Sequence, residues 1–400
     1  MDNVLVKPLY RIAGEAEFLV ISDNGRVRKA YFISAAPVRG FEKLVVGKNP
    51  VFVVEAIMRI CGFCHAAHAI AAAEALEHAV GIMPPRNGLI LREMIGLANR
   101  LQSHLYHLAL ILRDIVRQDY YNEMLFKVLS LVEHASNILG RLGGTPTHPK
   151  NIAIGGVYEL PKPAMINDVK RRLDILVKTY PSLIEEVLDE DRLSEKALYL
   201  KKHKLPTSKL ASHLFYGSRF NIEVNKIQVV HPIDYYKVDD SISSEVARKT
   251  TTMIALYDNQ VVEVGPRSRL EIYAYFKDES LLGIQIARLK EIELVLYRLR
   301  ELIEQITPNA PVRSGEIVYR AGHGVGVYEA PRGTLIHIVD LNDEGRVNDF
   351  KIVVPTMFNI PLIEKAVMDL PVSLATTIPR LFDPCIPCTT HVISVNRSRR

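Results

Sequence analysis

The chain has 400 residues, 48% apolar and 24% charged, with a net charge of +5. That is enough length for a substantial core and too apolar for intrinsic disorder. Basic residues alternate with acids along the chain and no apolar run approaches the roughly 20 residues that span a bilayer, so nucleic-acid binding and a direct membrane span are both excluded as expectations.

Residues 1–54 read as a β-rich start. Alternating segments at Ala16–Ile21 and Val27–Phe32 flank Ser22-Asp23-Asn24-Gly25, a hairpin turn signal. Residues 55–200 read as a helical core. Small residues from Glu55 to Gly81 suit a buried helix with close neighbours, and apolar residues at helical spacing predict further helices over Leu89–Val116, Met124–Arg141 and Ala164–Asp189. Residues 201–280 lack a helical period and read as irregular strands. Residues 281–400 begin with a helix over Leu281–Ile306. Strands follow over Val312–Pro355 with a turn at Asn342-Asp343-Glu344-Gly345, then a helix at Pro361–Met368 and a terminal cysteine pair. No repeat or linker separates these parts. The expectation is one interleaved domain, residues 1–400, mainly α with peripheral β (α+β), around a central helical bundle.

The chain has four cysteines, too few for the disulfide framework of a secreted protein. All are paired: Cys61 and Cys64 in Arg-Ile-Cys-Gly-Phe-Cys, followed by His68, and Cys385 and Cys388 in Asp-Pro-Cys-Ile-Pro-Cys, followed by His391. Two intervening residues let both sulfurs of a pair face one ion. A four-thiolate zinc site is one reading, although zinc pairs usually lie 15–20 residues apart and these lie about 320 apart. A redox Cys-X-X-Cys is another, without the βαβ context it needs. Unliganded buried thiols are a third. The fourth is a catalytic soft-metal centre assembled from distant parts of the chain.

The two motifs Arg-X-Cys-Gly-X-Cys-X3-His and Asp-Pro-Cys-X-X-Cys-X-X-His resemble the signature motifs of nickel–iron hydrogenase large subunits. Supporting segments are Pro37–Leu44, Val262–Leu270, Glu329–Gly333 and Val354–Asn359, and the resemblance is closest to the cytoplasmic archaeal, deazaflavin-reducing branch. It implies a hydrogenase-like fold and heterolytic cleavage or formation of dihydrogen. Cys61 and Cys385 would be terminal ligands of nickel. Cys64 and Cys388 would bridge nickel to an iron carrying carbon monoxide and cyanide. Arg332 would sit over the metals, the alternative being a turn residue after Pro331. Asp383 and Asp114 would pair with that arginine, Asp114 otherwise being a solvated helix end. His68 would bond a bridging thiolate or be a core histidine. Glu42, His391 and the Ile360 carbonyl would hold a magnesium or iron ion. His104 and His107 are read as core or surface residues.

The sequence departs from the family pattern where Arg11-Ile12-Ala13-Gly14-Glu15 stands for Arg-Ile-Glu-Gly-His. Ala13 removes the usual proton-carrying glutamate. Glu15, two residues on, would share its strand face and substitute for it. Nine residues follow His391, a short cleavable tail or one retained at maturation. With every cysteine committed, this chain holds no iron–sulfur cluster. Electrons would pass to an iron–sulfur small subunit and further electron-transfer subunits, with maturation proteins loading the metals. The N-terminus lacks a signal-peptide pattern, so a cytoplasmic location is expected. The competing functional readings are a hydrogenase-derived scaffold, as in respiratory complex I, and a zinc-stabilised protein.

Overall fold

Asn24 and Gly25 both take positive φ, 49° and 73°, and so close the hairpin the sequence signals. In the computed structural model, which describes residues 3–238 and 240–390, the flanking strands are β2 (Ala16–Asp23) and β3 (Arg26–Ile33). A strand before them, β1 (Asn3–Leu9), pairs with β2 to complete an antiparallel sheet. Two short helices follow, α1 (Phe41–Leu44) and α2 (Pro50–Ile57). Asn49 caps α2 by accepting from Phe52 N at 2.9 Å, and Pro50 opens it where a missing N–H costs nothing.

The segment expected to be one helix from Glu55 to Gly81 is broken. After a 3₁₀ turn over Met58–Ile60 the backbone extends at Cys61, and helix resumes only at α3 (His65–Val80). The long helices α4 (Arg86–Ile115), α5 (Gln118–Gly143) and α6 (Pro163–Leu188) match the apolar periodicity closely, with a two-residue hairpin, β4 (Ile152–Ala153) and β5 (Gly156–Val157), between the last two. Between α7 (Glu195–Lys202) and residue 274 come short elements: β6 (Ser208–Lys209), β7 (Ile227–Val230), α8 (Pro232–Tyr235), α9 (Ser241–Lys249), β8 (Ile254–Tyr257), β9 (Val262–Glu263) and α10 (Pro266–Tyr273). The region expected to be only irregular strands thus carries short helices too. α9 is fixed by a capping box between Asp240 and Ser243.

α11 (Gly283–Glu304) returns to the bundle beside α4 and α6. A meander follows, β10 (Gly322–Ala330), β11 (Gly333–Leu341) and β12 (Val347–Val353). The next helix, α12 (Pro355–Ala366), starts six residues earlier than expected, with Pro355 at its first position and Pro361 inside it. Then α13 (Thr377–Phe382) and α14 (Ile386–Thr389) bracket Asp383 and Cys385.

One packing contact decides where the first cysteine pair sits. Gly322, Gly324 and Gly326 face α3 from β10, and a Cβ at each would lie 1.9–2.0 Å from the carbonyl oxygens of Ala79, Ala75 and Ala71. Two strand residues rise nearly as far as four helical ones, so the glycines track the alanines and backbone meets backbone. This is the close neighbour that the small residues of α3 anticipate. The chain's far ends also meet: Ala13 bridges in parallel to Cys385, and Ile386 N donates to Ala13 O at 2.8 Å. A single hydrophobic cluster runs from Leu9 to Cys388, and a small second one (Leu19, Tyr31, Ile33, Val246) involves the N-terminal sheet and α9. Among the described residues no helix is long and apolar enough to cross a membrane.

Candidate metal centre

The four cysteines converge. Cys61 Sγ lies 3.3 Å from Cys385 Sγ, and Cys388 Sγ lies 3.0 Å from both Cys64 and Cys385. All four sulfurs fall within 4.8 Å of one another and each residue is buried. These separations exceed the ~2.05 Å of a disulfide, so no two of these sulfurs are bonded to each other. Cys64 precedes the first turn of α3, where backbone N–H groups point at negative charge, and Cys61 Sγ accepts from Phe63 N at 3.2 Å.

Four thiols this close cannot all ionise unaided. Cys61 is held well below its ordinary range because Cys385, Cys388 and Cys64 hydrogen-bond to its sulfur and Arg332 lies near. Cys388 is pushed well above it, by burial and by its thiol neighbours. A soft cation among them removes that conflict by deprotonating the set. The donor set therefore fits nickel and iron, as it fits zinc.

Arg332 sits on the tight turn between β10 and β11. Its Nε donates to Asp383 O at 2.7 Å, its Nη2 to Asp383 Oδ1 at 2.9 Å, and its guanidinium lies 5.7 Å from the Phe63 ring. Burial opposes its charge, but Asp383 and the thiols Cys385, Cys64 and Cys61 more than offset it. Asp383 itself takes φ 54° at the end of α13. Burial would raise its carboxyl, yet Arg332, His107 and Arg288 hold it far below the carboxylate range. His68 Nε2 is 3.5 Å from Cys388 Sγ, and its Nδ1 is 3.2 Å from His337 Nε2.

Three expected placements need correcting. Asp114 does not reach Arg332. It takes a bidentate pair from Arg380 at 2.8 and 2.9 Å and a contact from Arg11 at 2.9 Å, so it ties α4 to α13 and the N-terminal segment. Glu15 does not share a face with Ala13, because the segment is not a strand there. Arg11 and Gly14 take φ of 61° and 91°, leaving Ala13 buried beside Cys385 and Glu15 exposed. Ile360 lies inside α12, where backbone carbonyls serve the helix. Glu42 accepts instead from Ile352 of β12, whose N–H donates to its Oε1 at 2.7 Å. Burial raises the Glu42 carboxyl to about 7, against the Ile352 hydrogen bond. His391 lies outside the described residues.

A buried ion network behind Asp383 has no sequence signal strong enough to name it. Arg288 Nη1 reaches Asp383 Oδ2 at 3.2 Å and His104 Nδ1 at 2.9 Å, and His104 Nε2 reaches Glu291 Oε2 at 2.7 Å. Arg269 binds Glu291 at 2.5 and 2.7 Å and Glu329 at 3.0 Å. Arg269 and Glu329 lie in the segments Val262–Leu270 and Glu329–Gly333, but their partners on α4 and α11 have only helical spacing to mark them.

The family model described as nickel-dependent hydrogenase matches residues 39–121 and 244–391. The chain is 34% identical to the coenzyme F420 hydrogenase subunit alpha of Methanocaldococcus jannaschii, over 98% of this chain and 94% of that one. It is 32% identical to the same subunit of Methanothermobacter thermautotrophicus, over 100% and 97%. Its fold is similar to that of the Ni-Fe-Se hydrogenase from Desulfovibrio vulgaris Hildenborough, with a TM-score of 0.85 at 21% identity, covering 98% of this chain and 100% of that one.

Proposed function

The chain belongs to the nickel-dependent hydrogenase family, and on that premise we propose that Cys61, Cys64, Cys385 and Cys388 hold a nickel–iron centre at which this large subunit, an oxidoreductase, acts on dihydrogen. The observation that carries the assignment to these residues is the meeting of four buried sulfurs within 4.8 Å. Cys61 and Cys385 would hold the nickel, and Cys64 and Cys388 would serve both metals, with carbon monoxide and cyanide completing the ligands of the iron. A centre of this kind supplies heterolytic cleavage of dihydrogen and takes up the electrons.

The chain's own residues do the rest. Arg332 presents a fixed positive charge beside the thiols and polarises dihydrogen, and Asp383 orients it through two hydrogen bonds. His68 Nε2 lies against Cys388 Sγ and would donate to it once a metal makes it a thiolate, tempering the charge on that sulfur. Burial of all these groups excludes water from the charges they manage. Glu42, with Ile352 rather than Ile360 beside it, and His391 would hold a magnesium or iron ion; a cation there would favour the ionised form of a carboxyl that burial raises to about 7.

Electrons leave through an iron–sulfur small subunit in the cytoplasm, and the names of the relatives favour a deazaflavin, coenzyme F420, as the final acceptor on further subunits. One observation favours a second reading, a scaffold with impaired turnover: Ala13, buried at Cys385, offers no proton acceptor where the family motif has glutamate. Metal analysis and infrared spectroscopy on the complex purified with its partners separate these. Nickel, with iron in excess of it from the small subunit's clusters, bands of metal-bound carbon monoxide and cyanide, and dihydrogen turnover are expected. Zinc in place of nickel with no such bands sinks the first reading, and a loaded centre without turnover favours the second.

A further inference from the structure

His104 and His107 lie one turn apart on α4 and face the same buried network, but their hydrogen bonds differ in kind. An arginine only donates, so Arg288 fixes His104 Nδ1 as an acceptor, and Nε2 carries the proton shared with Glu291. One proton satisfies His104. His107 has acceptors on both sides. Its Nδ1 lies 3.3 Å from Asp383 Oδ1 and its Nε2 lies 3.1 Å from Gln285 Oε1. The Gln285 amide cannot be turned around, because its Nε2 donates at 2.6 Å to the Leu381 carbonyl, which only accepts. Asp383, bonded by Arg332 and Arg288, is ionised and also only accepts. A neutral imidazole has one N–H and would leave one of these contacts repulsive. A second proton satisfies both.

The surroundings press the other way. Burial, Arg288 of α11 and Arg332 of the β10–β11 turn all disfavour a charged His107, and Asp383 favours it. His104, one turn back on α4, is neutral, and Gln285 of α11 contributes only its dipole. The site is thus shaped for a proton and held under a field that lets it go.

We infer that His107 is a protonatable positioning residue, which gains and loses a proton between Asp383 and Gln285 and whose charged form completes the clamp holding Asp383, and through it Arg332, beside the four thiols. Uptake forms one N–H bond at the imidazole lone pair with a proton from solvent, and release breaks it. What Arg332 does there rests on the nickel–iron reading; the protonation of His107 does not.

The test uses the assembled enzyme with its partners, as wild type and as His107→Gln, whose amide can still donate to Asp383 but cannot titrate. With ¹⁵N-labelled histidine, the infrared difference spectrum between acid and alkaline pH should contain an isotope-sensitive imidazolium signal that the variant lacks. In the loaded enzyme the carbon monoxide and cyanide bands should shift with pH in the wild type and stay fixed in the variant. Turnover should fall roughly ten- to a hundredfold, as the charged donor to Asp383 is replaced by a neutral one, and its pH profile should lose one limb. Identical histidine difference spectra, or bands that titrate alike in both proteins, overturn the inference. Absence of any such bands instead defeats the nickel–iron reading, and the histidine spectra still decide the role of His107. Should His107→Gln not assemble, Gln285→Glu serves: a carboxylate at Nε2 should move the transition to higher pH, and an unmoved transition overturns the inference.

Discussion

Asp383 is the residue on which the arginine side of the centre depends. It accepts from Arg332, Arg288 and His107 while nearly fully buried. Asp383→Asn leaves two buried guanidiniums facing a neutral amide, so a stability loss of ~3–5 kcal/mol is expected in denaturant unfolding, with turnover lowered at least a hundredfold. An unchanged unfolding midpoint would count against the network. Glu15→Gln, by contrast, should leave dihydrogen turnover within twofold of wild type, because that side chain is exposed. A large loss would return Glu15 to the proton route. The cysteines were legible because each pair is local, two residues apart with a marked flank. The partner of Asp114 was not, because Arg380 lies 266 residues away and nothing at either position names the other. Ile352 was missed for a related reason: a backbone N–H has no signature in the side-chain alphabet.

At the scale of elements, the glycine–alanine seam between β10 and α3 predicts that Gly324→Ala is severe. A Cβ 1.9 Å from Ala75 O cannot be relieved by rotating a side chain, so strand and helix must part. The expected result is a loss of several kcal/mol, as for overpacking at backbone, together with loss of bound metal as Cys64 moves with α3. Metal retained at wild-type level would show that the seam does not position the cysteine. A second joint involves Glu364 on α12, which accepts from Phe32 N at 2.8 Å and from Tyr236 Oη at 2.7 Å. Burial raises its carboxyl to about 7, against both hydrogen bonds. A raised folded-state value means the native protein binds the proton more tightly than the unfolded chain, so this stability is present at pH 4 and fades as pH rises toward 7 and beyond. Glu364→Gln should flatten that decline in urea midpoints measured from pH 5 to 8. A decline of the same slope in the variant rules Glu364 out as its source. The long helices were legible from periodicity. The break at residues 58–64 was not, because helix lies on both sides of it and the chain leaves helix where it brings Cys61 and Cys64 to the other cysteine pair.

At the scale of the molecule, Ala13 and Cys385 join segments from opposite parts of the chain, and the bridge lies against the thiol cluster. Cys388→Ser should therefore loosen both at once. Hydrogen exchange is expected to rise at the amides around Ile386 and, in the same experiment, at residues 11–15. Loosening confined to the later segment would mean the bridge is incidental. The α+β architecture followed from reading elements in order, whereas the convergence of residues 13, 61 and 385 needed either the family motifs or the structure, since sequence distance hides spatial contact.

That convergence also sets a timetable. A ribosome adding about 5–20 residues per second needs roughly 16–65 s to travel the 324 residues from Cys64 to Cys388. Over that interval the first thiol pair exists without the second, half a binding site open to any thiophilic ion in reach. Closing the site thus has to wait for the second pair, and whatever fills it correctly has to arrive after that wait.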